Sequence, residues 1–244
     1  MAAALLISDL HLTGERPAIV ERFFEFLAEP AARASALYVL GDLFEYWIGD
    51  DELDPEAGDP LARRVAEGFA ALARSGVPVA LMHGNRDFLI GPRFCAASAA
   101  RLLPDPTVEK IAGVRTLLMH GDTLCTDDLD YQAWRRQTRA PGWQRDFLAR
   151  SIEARRQLLQ AIREKSKEVV SSKPADIMDV NDGAVRQALR ENGPTRLVHG
   201  HTHRPARHAL EVDGKRCERW VLPDWYEQGG YLAIDEAGPH LVAF

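Results

Sequence analysis

Five short stretches of this sequence set Asp, His and Asn side chains at spacings suited to metal chemistry. They are Asp9-Leu10-His11, Gly41-Asp42, Gly84-Asn85, His120-Gly121-Asp122 and His201-Thr202-His203. Carboxylate and amide oxygens mixed with imidazole nitrogens suit Mn²⁺, Fe²⁺ or Zn²⁺ rather than Ca²⁺, which takes oxygen ligands. Alternate residues of an extended chain share a face, so Asp9 with His11, and His201 with His203, are expected to point into one pocket. The glycines before Asp42, Asn85 and His201 are expected to make tight turns that bring the backbone close to a metal. Each stretch alone also has a duller reading. Ser8-Asp9 or Gly41-Asp42 fits a helix N-cap, and His120 fits a hydrogen-bonded core histidine. Together, and in this order, they favour a two-metal site.

The elements that must hold these residues show as short apolar runs that stop at them. Ala4–Ile7 leads to Ser8-Asp9, Leu37–Leu40 to Gly41-Asp42, and Val77–Met82 to His83-Gly84-Asn85; Val114–Met119 leads to His120, and Arg196–Val198 to His199-Gly200-His201. Such runs read as strands covered on both faces. Pro17–Glu29, with Ile19, Phe23, Phe26 and Leu27 at helical spacing, reads as a covering helix. The order predicts an α/β fold with its ligands at the carboxyl ends of strands. After His203, Arg216–Leu222, Gly230–Asp235 and His240–Phe244 predict a terminal antiparallel sheet.

Taken as a set, Asp9-Leu10-His11, Gly41-Asp42, Gly84-Asn85-Arg86-Asp87, His120-Gly121-Asp122 and Gly200-His201-Thr202-His203 resemble the signature of the calcineurin-like metallophosphoesterases, across most of the chain. The resemblance implies a four-layer α/β sandwich. It implies one metal held by Asp9, His11 and His203 and another by Asn85, His120 and His201, with Asp42 bridging the two. Such a pair activates a water and clamps the oxygens of an in-line displacement at phosphorus. Asn85, Arg86 and His120 are then the residues acting at the reacting phosphate. Many relatives carry histidine where this chain has Arg86. A guanidinium does not donate its proton in water, so Arg86 is expected to clamp phosphate oxygens, which suits a pyrophosphate whose leaving group needs only charge neutralisation.

Longer stretches, among them Gly41-Asp42-Leu43-Phe44-Glu45-Tyr46-Trp47 and Ile177-Met178-Asp179-Val180-Asn181, are similar to a branch of that superfamily acting in lipid A biosynthesis. That branch splits UDP-2,3-diacylglucosamine into UMP and 2,3-diacylglucosamine 1-phosphate (lipid X), with water attacking the α phosphorus. The likeness implies two Mn²⁺ per chain, with Fe²⁺ or Zn²⁺ as alternatives. It also implies peripheral attachment to the cytoplasmic face of the inner membrane, and substrate contacts at Asn85, Arg86, Asp128, Tyr131, Ser166, Lys173 and His201.

One interval stands apart from the strand-and-helix alternation. Residues 128–176 read as a helical lid inserted into a single domain of residues 1–244. Between Tyr131 and Lys173 there are eleven basic and four acidic side chains, a local +7 in a chain of net −6. Trp143, Phe147, Leu158, Leu159 and Ile162 punctuate it at spacings that suit an apolar stripe. This is either a surface that meets anionic membrane lipids or a solvated basic face over a stripe packed on the body.

The acidic remainder has no recognised nucleic-acid module, and no protein partner is indicated. No apolar run approaches the ~20 residues of a spanning helix. Cys95, Cys125 and Cys217 are too scattered for a disulfide framework or thiolate zinc site, and read as buried thiols. From the ligand assignment, Asp42→Ala and His201→Ala are each expected to abolish phosphoesterase turnover without unfolding the protein. An Asp42→Ala protein with full activity and full metal content would contradict the two-metal reading.

Overall fold

The computed structural model describes residues 2–172, 177–227 and 229–244, with backbone alone for 163–172. Strands β1 (Ala4–Ile7), β2 (Ala36–Leu40), β3 (Val79–Met82) and β4 (Arg101–Leu103) run parallel in a first sheet. The hairpin β10 (Gly230–Asp235) and β11 (Gly238–Ala243) adds to it antiparallel, giving the order β11-β10-β1-β2-β3-β4. A second sheet has the order β5-β6-β7-β9-β8, from β5 (Thr107–Ile111), β6 (Val114–Leu118), β7 (Arg196–His199), β8 (Ala206–Val212) and β9 (Lys215–Val221). In it β6, β7 and β9 are parallel.

Alternation along the strands builds the layers. Leu5, Ile7, Leu37, Val39, Val79 and Leu81 face one way, onto Phe23 and Phe26 of α1 (Pro17–Ala28) and Val65 and Phe69 of α2 (Pro60–Arg74), with Phe94 of α3 (Pro92–Ser98). Leu6, Leu40 and Met82 face the other way and meet Leu118, Val198 and Trp220 of the second sheet. On the far side of that sheet Leu117 and Leu197 pack on Val185 and Leu189 of α7 (Asp182–Asn192). The result is helices, sheet, sheet, helix: the expected four layers, with β1, β3 and β7 buried along their whole length. Local chemistry sets the helix starts. Asp59 accepts from Leu61 N at 2.8 Å ahead of Pro60, and Asn181 accepts from Ala184 N at 3.1 Å.

One expectation is corrected. The C-terminal strands do not form a sheet of their own, because β8–β9 and β10–β11 are separate hairpins that extend different sheets. Strands β4, β5 and β8 were not anticipated.

Three helices fill the interval read as a lid: α4 (Leu129–Arg139), α5 (Pro141–Leu148) and α6 (Ile152–Ser172). Phe147 is buried in the first core, and Trp143, Leu158 and Leu159 pack against that core. Arg155 is only 3% exposed; its Nη1 donates to Ile48 O at 2.6 Å and to Asp51 Oδ1 at 2.9 Å. Of the two readings of the stripe, packing on the body holds at these residues.

Candidate metal centre

Pairing between the chains continues past the ends of β1 and β2. Asp9 N donates to Gly41 O at 3.1 Å, His11 N to Asp42 O at 2.9 Å and Leu12 N to Leu43 O at 2.9 Å. Neither Asp9 nor Asp42 caps a helix. The segments are not extended as expected: Asp9, His11, Asp42, His201 and His203 have φ of 55°, 49°, 52°, 67° and 51°. Left-handed backbone at non-glycine residues costs on the order of 1 kcal/mol or more each and collects where function over-determines it. These side chains converge through twisted loop ends instead of strand alternation.

The glycines matter for space. A Cβ on Gly84 would lie 2.1 Å from Asp42 Oδ1, and one on Gly200 would lie 2.2 Å from Asp9 Oδ2. Close approach, more than turn geometry, demands glycine at both positions.

The ligand atoms meet in two groups. Asp9 Oδ1 lies 3.3 Å from His203 Nε2, and His11 Nε2 lies 3.5 Å from His203 Nε2. Asp42 Oδ2 is 3.8 Å from His11 Nε2 while its Oδ1 is 3.8 Å from His120 Nε2, so this one carboxylate faces both sides. Asn85 Oδ1 is 2.9 Å from both His120 Nε2 and His201 Nδ1. Every expected ligand is therefore in the cluster.

The donor set fits metal ions. Asp9 Oδ1 is buried without a hydrogen-bond partner, while Asp9 Oδ2 is spoken for by Ser8 Oγ at 2.5 Å and His201 N at 2.9 Å. His120 Nδ1 lies 2.8 Å from Leu40 O, an acceptor, and so carries a proton there. Its Nε2 then faces a second acceptor, Asn85 Oδ1, and the gap calls for a positive species, a proton or a metal ion.

Electrostatics agree. Burial pushes the Asp42 carboxyl up to about 7, with Asp87 and Asp9 adding to the rise and His120 opposing it. For His120 burial favours the neutral ring, but Asp42, Asp122 and Asp9 outweigh it and raise the pKa to about 9. His201 is pushed down to about 4 by burial and by the charge of His120.

Residues 3–205 match the calcineurin-like phosphoesterase family. The chain belongs to that family. It is 49% identical over 237 residues to a UDP-2,3-diacylglucosamine hydrolase of Aromatoleum aromaticum, covering 97% of this chain and 95% of that one. Proteins of the same name match at 47% over 242 residues in Escherichia coli O7:K1 (99% of each chain), and at 48% over 244 residues in Xanthomonas axonopodis pv. citri (97% of each).

Around this calcineurin-like centre lie residues whose roles sequence reasoning missed. Asp87 is fully buried and binds the Asp42 and Asn85 loops together: its Oδ1 accepts from Gly84 N at 2.8 Å, its Oδ2 from Leu43 N at 2.7 Å. The Gly84-Asn85-Arg86-Asp87 spacing carried that signal. Tyr226 stacks on His11 at 4.9 Å and 15°, and nothing in the sequence marked it. Asp122 accepts from Tyr131 Oη and Arg135 Nε, both at 2.7 Å. Arg139 Nη2 donates to Gly84 O at 2.8 Å. Helix α4 is thus bonded through Arg135 and Arg139 to the loops that carry His120 and Asn85, while its Arg136 stays exposed. His199 is a neutral structural histidine, pushed down to about 3 by burial and Arg219, which donates to its Nε2 at 3.1 Å. His83 Nε2 donates to Ile90 O at 2.7 Å. Cys125 and Cys217 are buried and Cys95 is half-buried, all free thiols.

A cavity of about 380 Å³ opens beside the centre. Asn85, Arg86, Asp128, Tyr131 and His201, five of the expected substrate contacts, line it. Asp128 also caps α4, accepting from Tyr131 N at 3.1 Å. Lys173 and the Ser166 side chain lie outside the described residues. Trp47, Phe88, Trp143, Leu159 and Met178 add apolar side chains to its lining.

Gly84→Ala tests the packing of this centre. The added methyl must displace Asp42, and ligand shifts near 1 Å cost about 100-fold in rate. The variant is expected to keep its circular dichroism spectrum but to lose metal-dependent thermal stabilisation and at least that much activity. Wild-type values for both would show that the Asp42–Gly84 contact is not needed.

Proposed function

We propose that this chain hydrolyses the pyrophosphate bond of UDP-2,3-diacylglucosamine, releasing UMP and lipid X. One observation carries the reading: a single cavity is lined both by polar groups, Asn85, Arg86 and His201 among them, and by the apolar side chains of Trp47, Phe88, Trp143 and Leu159. A substrate that joins a charged diphosphate to an acylated sugar matches both kinds of lining. The names of the relatives support the same substrate.

Asp9, His11, Asp42, Asn85, His120, His201 and His203 are the residues to hold two Mn²⁺, with Fe²⁺ or Zn²⁺ as alternatives. Bound there, such cations supply Lewis-acid charge and acidify water for attack. Arg86 neutralises the phosphate oxygens, and its fixed charge suits the departing sugar phosphate, a weak base that needs no proton. Asn85 contributes an amide oxygen without adding negative charge where the diphosphate lands. Asp128, Tyr131, Ser166 and Lys173 position the substrate from helices α4 and α6 and the segment after them. Those helices act as a lid over the cavity, so that residues 128–176 select the substrate within one domain.

Attachment to anionic lipid is supported by exposed side chains in and just after α4 and α5. Leu129 is 74% and Leu148 42% exposed, and Arg136, Arg145 and Arg150 are exposed, as are Asp130 and Asp146. Each basic residue near an anionic surface contributes about 1 kcal/mol, screened by salt. No helix among the described residues is long and apolar enough to cross a membrane.

Phosphorus NMR with UDP-2,3-diacylglucosamine in ¹⁸O-water tests the proposal. UMP carrying the label and unlabelled lipid X are the expected products. Label in lipid X would reverse the attacked phosphorus. Hydrolysis of soluble phosphodiesters but not of the lipid would replace the substrate with a nucleotide.

A further inference from the structure

The second nitrogen of His11 faces an acid. The pairing of loop ends that sets Asp9 beside Gly41 continues further: Leu12 and Phe44 form a parallel bridge, and Glu45 N donates to Leu12 O at 3.1 Å. That register brings Glu45 back alongside His11. Glu45 Oε2 lies 3.7 Å from His11 Nδ1, and the Glu45 side chain is 10% exposed. His11 Nδ1 itself is buried with no hydrogen-bond partner.

Other contacts close the box around the ring. Tyr226 covers one face, and the Arg16 guanidinium lies 4.9 Å from the Tyr226 ring centre. Arg16 Nη2 donates to the His11 carbonyl and stands 3.6 Å from Glu45 Oε2. The arginine therefore holds both the His11 backbone and the glutamate that faces its ring.

A neutral imidazole has one N–H, and the nitrogen that binds a cation must be the one without it. For His120 the Leu40 carbonyl fixes the proton on Nδ1. No carbonyl does so for His11. We propose that Glu45 is a positioning residue for the metal centre. Its negative charge keeps the His11 proton on Nδ1, which leaves Nε2 free for the cation between Asp9, Asp42 and His203. At 3.7 Å it acts as a charge, beyond hydrogen-bond range. Outer partners of ligand histidines commonly set metal affinity by about 10- to 100-fold. The inference rests on the two-metal reading of the site but not on the identity of the substrate.

The test is Mn²⁺ binding to the full chain, followed by electron paramagnetic resonance of the free ion, for wild type, Glu45→Gln and Glu45→Asp. Glu45→Gln keeps shape and removes charge. It is expected to weaken Mn²⁺ binding about 10- to 100-fold, while melting in chelator at the wild-type temperature. Glu45→Asp is expected to recover part of the affinity. Excess Mn²⁺ should restore the kcat of Glu45→Gln, which a merely structural defect would not allow. Unchanged Mn²⁺ affinity in Glu45→Gln overturns the proposal. So does an affinity loss accompanied by an equal loss of stability in chelator in both variants. No nucleotide or lipid enters the binding measurement, so an error in the substrate leaves its outcome intact.

Discussion

Burying Asp9 and Asp42 together with His11 and His120 is costly unless a compensating charge sits among them. Much of the fold can be understood as the means of holding that arrangement. Two sheets face each other so that β1, β2, β3, β6 and β7 all end at one edge, and each delivers one or two ligands. Backbone strain at Asp9, His11, Asp42, His201 and His203, and the glycines that admit Asp9 and Asp42 against neighbouring loops, are the local consequences. Asp87 then joins the Asp42 loop to the Asn85 loop through buried backbone N–H groups.

What was legible in the sequence follows from burial. β1, β2 and β3 are covered on both faces and read as apolar runs, and β6 and β7 end in buried apolar residues, so their ends and the residues after them could be located. β4, β5 and β8 lie at sheet edges, half exposed, with Arg101, Glu109, Lys110, Arg207 and His208 breaking any such run. Convergence of the ligand side chains was expected from alternation along an extended chain. It arises from left-handed residues that no residue spacing reveals.

The basic segment shows a different limit. A count of charges does not distinguish a guanidinium in solvent from one bonded to a carbonyl. Arg135, Arg139 and Arg155 are bound to Asp122, the Gly84 carbonyl and the Ile48 loop, whereas Arg136 and Arg145 remain exposed. The apolar residues divide likewise, Phe147 into the core, Leu159 onto the cavity and Leu148 towards solvent. Helices α4 to α6 thus combine anchoring, cavity lining and exposed charged side chains, and α4 reaches Asp122 and the Gly84 carbonyl directly.

Anomalous diffraction at the manganese edge from crystals grown with Mn²⁺ tests the central claim most directly. Two peaks are predicted: one among Asp9, His11 and His203, the other among Asn85, His120 and His201, with the Asp42 carboxylate between them. A single peak with Asp42 bound to one ion alone, or no peak at these residues, would contradict it.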